Sequence, residues 1–209
     1  MARPKEQTKR RDQLIAAASS AVLRHGASGL RLADIAEEAG LTSASVLYYY
    51  PDVRELYTAA FAQGGEEYIA LREAHVQAAD SPEAKLAACM RSGIPWPGHA
   101  EETSRLLYEL TPVVLRNDAA AAEHVALIAR QAALYERVLR ECEASGRFRL
   151  RQPAGVLARG FVALEEGFGV DVLVGELDPE LELEWLDDYA RVMVVAADHD
   201  EELRDPARP

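Results

Sequence analysis

Between Leu32 and Pro51 two short apolar patterns meet at a single glycine, and this constrains the fold more than any other stretch of the chain. Leu32, Ile35, Ala36 and Ala39 recur at helical spacing and stop at Gly40, and a second short pattern begins after Leu41. Ala36 supplies the small side chain that lets two helices cross closely. Gly40 supplies a residue tolerant of positive φ, and Val46 supplies an aliphatic contact returning to the core. That spacing of small residue, glycine and aliphatic predicts a helix-turn-helix, in which the first helix braces the second. An ordinary antiparallel helical pair is the alternative.

The remainder of the chain reads as helix almost throughout. Leu14, Ile15, Ala18 and Val22 predict a first helix, with Thr8 as N-cap and Gly26 as stop. Asp52 with Glu55 reads as a capping box opening a helix from Val53 to about Ala78. Further starts are expected at Ser81-Pro82, Asn117-Asp118, Gln152-Pro153 and Asp178-Pro179. No alternating strand is expected, and "VDVLV" near residue 170 falls inside a helical pattern. The expectation is an all-α chain of about nine helices. It comprises an N-terminal three-helix domain over residues 1–56 and a larger helical domain over 57–209.

Charge distribution sharpens the reading. The 209 residues carry a net charge of −12, which argues against nucleic acid until its placement is considered. Residues 1–31 hold seven basic and two acidic side chains, net +5, whereas residues 57–209 hold 15 basic and 28 acidic, net −13. One end suits a polyanion and the body is acidic. Lys9, Arg10 and Arg11 are expected in the first turn of helix one, where the helix dipole disfavours cations and an anionic partner would offset the cost, a disordered, solvated arm being the alternative.

Three consecutive tyrosines end the second short helix. Steps of about 100° per residue direct Tyr48 and Tyr49 outward and Tyr50 into the core. Thr42, Ser43, Ala44 and Ser45 open that helix, where hydroxyls can pair with several bases and an alanine methyl can meet a thymine methyl. Capping and solvation are the alternative for Ser43 and Ser45, and core packing for Tyr48 and Tyr49.

Other chemistries find no support. Cys89 and Cys142 are single and far apart and read as small buried hydrophobes. His25, His75, His99, His124 and His199 are scattered without metal-ligand spacing, so no metal site is expected, and no cofactor. There is no P-loop, nucleophile elbow or dinucleotide fingerprint, and no enzyme is expected. Neither a signal peptide nor a membrane span is predicted, making the cytoplasm the default location.

The segment "LRLADIAEEAGLTSASVLYYYPDVREL" resembles the DNA-binding segment of the TetR family of bacterial transcriptional regulators, over roughly residues 8–60. Ile35, Ala36, Ala39, Gly40, Tyr49, Pro51 and Leu56 match, with conservative changes at Leu41, Thr42, Val46 and Tyr50. Leu47 departs from the family's usual tyrosine, Val53 from a phosphate-reaching lysine, and Arg31 from a capping threonine, which shifts expected phosphate contact to Arg31, Arg54 and Tyr48. The resemblance implies a ligand-responsive regulator that binds double-stranded operator DNA as a homodimer, a repressor released by a small-molecule effector. A helical protein-interaction module on the same scaffold is the alternative. It further implies a pocket among the central helices of the larger domain, for which Phe61, Tyr68, Trp96, Tyr108, Ile128 and Tyr135 are candidates, with Glu109 and Glu165 as polar handles for a cationic or hydroxylated ligand. Core packing is the alternative for the apolar six, and solvation or pairing with arginine for the two acids. A dimer interface is expected on the last two helices, about Pro153 to Val174 and Pro179 to Ala197, through Val156, Phe161, Leu164, Phe168, Leu186, Tyr189 and Met193. An internal core helix pair is the alternative there.

Overall fold

A computed structural model of the chain describes residues 3–197, with side chains from Glu6 onward. The described residues form nine helices, one isolated helical turn and one two-stranded ribbon. In order these are α1 (Arg3–His25), α2 (Leu32–Glu38), α3 (Ser43–Tyr49), α4 (Val53–Gln77), α5 (Pro82–Gly93), α6 (His99–Glu109), the turn α7 (Thr111–Val114), α8 (Asp118–Ala144), β1 (Phe148–Leu150), α9 (Ala154–Leu173), α10 (Pro179–Met193) and β2 (Val194–Ala196). The fold class is the all-α one expected. Two compact units divide it, residues 1–68 with 97–127, and residues 69–96 with 128–209.

Three local expectations need correction. Helix α1 begins at Arg3, so Thr8 is not its cap, and Lys9, Arg10 and Arg11 lie about two turns in, beyond the reach of the end-dipole. The cost inferred from that dipole therefore falls away. β1 and β2 pair antiparallel with Phe148 opposite Ala196, and three residues each are too few for an alternating pattern to register in the sequence. Helix α10 accordingly stops at Met193 and not Ala197. His199 lies outside the described residues.

In the first unit, Leu14, Ala18 and Val22 of α1, Ile35, Ala36 and Ala39 of α2, Val46 and Tyr50, and Leu56 and Phe61 of α4 are all buried. Gly26 ends α1 at φ 70°, and the following Ala27 amide donates to the Glu109 carboxylate of α6 at 3.2 Å. That bond ties the α1–α2 turn to α6.

The second unit has a core built from α5 and the later helices. Ser81 caps α5, accepting from the Ala84 amide at 3.1 Å, with Pro82 in its first turn. Tyr135 of α8 stacks on Phe161 of α9 at 4.8 Å between ring centres, and Phe161 meets Tyr189 of α10 edge-on at 4.9 Å. Gly160 makes room for this contact, since a Cβ there would lie 2.5 Å from the Tyr189 hydroxyl.

A polar cluster lies inside this apolar core. Arg72 is fully buried and donates to both oxygens of Glu165 at 2.9 Å, to the Gln131 side chain at 3.0 Å and to the Cys89 carbonyl at 3.0 Å. The Tyr135 hydroxyl donates to the same Glu165 carboxylate. Burial pushes the Glu165 carboxyl up, and the two Arg72 bonds pull it back toward ionisation. Burial also raises the Cys89 thiol to about 12, so it stays protonated. Glu182 of α10 is fully buried as well, and neither of its carboxyl oxygens has a hydrogen-bond partner among the described residues.

Candidate nucleic-acid interface

Helix α2 ends in a two-bond glycine stop. The Gly40 amide donates to the Glu37 carbonyl at 3.0 Å and the Leu41 amide to the Ala36 carbonyl at 2.8 Å, with Gly40 at φ 64°. No side-chain Cβ would meet an obstacle at Gly40, so the backbone angle alone requires glycine. Thr42 then caps α3, its Oγ1 accepting from the Ser45 amide at 3.2 Å and lying 2.9 Å from the Ser45 hydroxyl.

The seven residues of α3 separate by angle. Val46 is fully buried, and Tyr50, just past the helix, is 5% exposed. Ala44, Leu47 and Tyr48 face outward, with Leu47 41% and Tyr48 72% exposed, and Tyr49 is half-buried with its ring edge-on to Tyr48. Tyr48 thus faces outward and Tyr50 inward as expected, whereas Tyr49 lies between the two and not outward.

Two side chains of α1 position this pair of helices. Gln13 donates to the Ala39 carbonyl at 2.9 Å, closing the end of α2. Arg11 donates to the Tyr49 carbonyl at 3.2 Å, and its guanidinium lies 5.2 Å from the centre of the Tyr50 ring, closing the end of α3. Sequence reasoning assigned neither role, because both bonds span more than 25 positions and no local pattern encodes them.

The basic candidates differ in their freedom. Lys9 is exposed on α1, and Arg10 is half-buried and bonded to Gln13 at 2.7 Å. Arg31 stands at the α2 N-cap and pairs with Asp34 at 2.7 Å, holding that carboxyl down at about 2. Arg54 pairs with Asp52 at 2.7 Å and lowers its carboxyl likewise. Asp52 also accepts from the Arg54 amide at 2.9 Å, so α4 opens on an aspartate turn and not on the reciprocal Asp52–Glu55 box. Both arginines are largely exposed, and exposed pairs exchange partners readily.

The residues expected to hold an effector fall four in each unit. In the first, Phe61 is buried with its ring 6.2 Å from that of His124, Tyr68 and Tyr108 are half-buried, and Glu109 holds the Ala27 amide. In the second, Tyr135 and Glu165 belong to the Arg72 cluster, and Ile128 packs against the core. Trp96 donates from its indole to the Arg91 carbonyl at 2.8 Å, with the Arg91 guanidinium 4.3 Å from its ring centre. A shallow groove of about 530 Å³ runs along α8 past Ala133, Glu136, Arg137, Arg140, Glu141 and Ala144, and none of the eight lines it. No group of three or more metal-ligating side chains occurs among the described residues. Nor is any of their helices long and apolar enough to cross a membrane.

Of the expected interface residues, Val156 is 58% exposed, and Leu164, Phe168, Tyr189 and Met193 are half-buried. Phe161 and Leu186 are fully buried in the chain's own core, Phe161 stacked on Tyr135. Trp185 adds an exposed ring on the same helix pair, edge-on to Phe168 at 5.1 Å.

No protein-family model matches this sequence, and no curated protein matches it. Solved structures match its fold. A protein from Saccharomonospora viridis described as a transcriptional regulator, in complex with choline, superposes with a TM-score of 0.82 at 20% identity over 90% of this chain and 99% of its own. A protein from Rhodococcus described as a TetR-family regulator gives 0.77 at 23% identity over 88% and 98%. A TetR regulator from Haloarcula marismortui gives 0.79 at 20% identity over 90% and all of its length. The chain therefore has the fold of TetR-type transcriptional regulators.

Proposed function

We propose that this protein is a DNA-binding transcriptional regulator of the TetR type, a homodimer that represses and is released from its operator by a small molecule. The observation that carries the reading is the α3 helix. It is capped at its start by Thr42, clamped at its end by Arg11 and anchored by buried Val46 and Tyr50, yet it presents Ala44, Leu47 and Tyr48 outward. A helix fixed on one side and open on the other suits insertion into the major groove. Lys9, Arg10, Arg31 and Arg54 supply phosphate contacts, the hydroxyls of Tyr48 and Tyr49 add uncharged ones, and Thr42, Ser43, Ala44 and Ser45 face the base edges.

A single recognition helix reads only a few base pairs, so two copies on a two-fold axis are needed for useful specificity. The partly exposed face of α9 and α10, with Val156, Leu164, Phe168, Tyr189 and Met193, supports an isologous pairing. The residues 57–209 would then carry dimerisation and effector binding, and residues 1–56 the DNA contact. The choline held by the protein of similar fold supports a small-molecule effector.

A gel-shift experiment tests the reading. Duplexes enriched from a random-sequence pool should bind the full chain, and Arg31→Ala and Arg54→Ala should weaken cognate and random DNA alike. Ser43→Ala and Ser45→Ala should instead change the sequence preference. Equal losses on cognate and random DNA for all four variants would remove the division of roles. The protein-interaction alternative is favoured by the internal pairing of Arg31 and Arg54, and it would show itself as no shift at all.

A further inference from the structure

The outward side chains of α3, Ala44, Leu47 and Tyr48, stand at i, i+3 and i+4 and so form one face. From Thr42 to Tyr49 no residue carries a charge or a carboxamide. That composition removes most of the code by which base pairs are distinguished in the major groove. Arginine or lysine reads guanine, asparagine or glutamine reads adenine, and a carboxylate reads the cytosine amine, and α3 offers none of them. Its hydroxyls discriminate poorly because they donate or accept. They can tune a preference without fixing a base, and those of Thr42 and Ser45 already bond each other.

What remains on that face is a methyl, an isobutyl group and an aromatic ring. The thymine C5-methyl is the one apolar group a base pair displays in the major groove. We propose that α3 selects its operator by thymine methyls, with Ala44 and Leu47 as the specificity-determining contacts and Tyr48 closing the face toward the phosphates. The half-site is then T-rich under the centre of α3. This proposal rests on the DNA-binding reading above. An exposed apolar face could instead meet a protein. The net charge of +5 over residues 1–31, beside an otherwise acidic chain, favours the polyanion.

The test enriches duplexes from a random-sequence pool with the full-length protein, then remakes the dominant duplex with deoxyuridine in place of thymidine across both half-sites. Deoxyuridine keeps every hydrogen-bonding group and deletes only the methyl. Burying one methyl is worth about three- to fourfold in affinity, so a pair related by the two-fold axis should cost about tenfold. In Leu47→Ala the ratio of affinities for the two duplexes should shrink toward one. Equal binding of the thymidine and deoxyuridine duplexes, or a ratio unchanged in Leu47→Ala, overturns methyl readout while leaving DNA binding intact. Failure to enrich any duplex overturns the DNA-binding reading and this proposal with it.

Discussion

Replacing Glu182 by glutamine should change how stability depends on pH. Burial, and secondarily the nearby Glu165 charge, raise the Glu182 carboxyl from its ordinary 4.5 to about 8. A buried acid without donors holds its proton in the folded state through a range where the unfolded chain has already lost it. Stability from this group is therefore full below about pH 4.5, falls as pH rises, and levels off above about pH 8. At ~1.4 kcal/mol per pH decade the whole excursion is at most about 5 kcal/mol, and relaxation with water entry brings it to about 2–5. Glutamine has nearly the same shape and no charge to gain, so Glu182→Gln lacks this slope. Urea unfolding of both proteins at about pH 5, 6.5 and 8.5 reads the difference directly. The variant should come within about 1 kcal/mol of the parent at the lowest pH and exceed it by at least about 2 kcal/mol at the highest. Parallel stability profiles, or a variant weaker than the parent at pH 8.5, would refute the assignment of Glu182 as a buried, unpartnered acid.

Arg72→Ala strands the Glu165 carboxylate in the core and should cost about 3–5 kcal/mol, whereas Arg72→Met with Glu165→Leu together should cost less than either single change, as thermal unfolding would show. Sedimentation of the parent at micromolar concentration should give a dimer, and Val156→Asp, placed on an exposed position, should give a folded monomer; a monomeric parent would rule out the α9–α10 interface. If Trp96 lines the effector site, its fluorescence should respond to titration with the effector, and Trp96→Phe should reduce release from DNA while sparing operator affinity. Loss of operator binding in Trp96→Phe would make Trp96 structural.

Several helix boundaries were legible where chemistry is local, although Thr8 is no cap and the starts of α6 and α7 were not anticipated. Ser81 before Pro82, Asp178 before Pro179 and Gly40 after Ala39 each fix a boundary through bonds within four residues, and the structure places α5, α10 and the end of α2 there. Tyr48 and Tyr50 separate by helical angle, which sequence periodicity encodes, while the half-burial of Tyr49 was not anticipated. Contacts between distant positions were not legible. Arg72 meets Glu165 across 93 positions, and Arg11 meets Tyr49 across 38. Neither pair leaves a periodic trace, so Glu165 entered as a handle for a ligand and emerges with its charge already matched by an arginine. Phe161 and Leu186 had the periodicity of an apolar face. That pattern is the same for a face turned to the chain's own core and one turned to a second copy.

The most direct measurement for the whole account is the salt dependence of binding between the full-length protein and an enriched duplex, followed by fluorescence anisotropy. A helix-turn-helix dimer that neutralises phosphates with Lys9, Arg10, Arg31 and Arg54 should show affinity falling steeply as salt rises. The logarithmic slope should become shallower by about one for each phosphate contact removed, hence by up to about two in a dimer carrying Arg31→Ala. No measurable binding at about 50 mM salt, or a slope unchanged by Arg31→Ala and Arg54→Ala together, would contradict it.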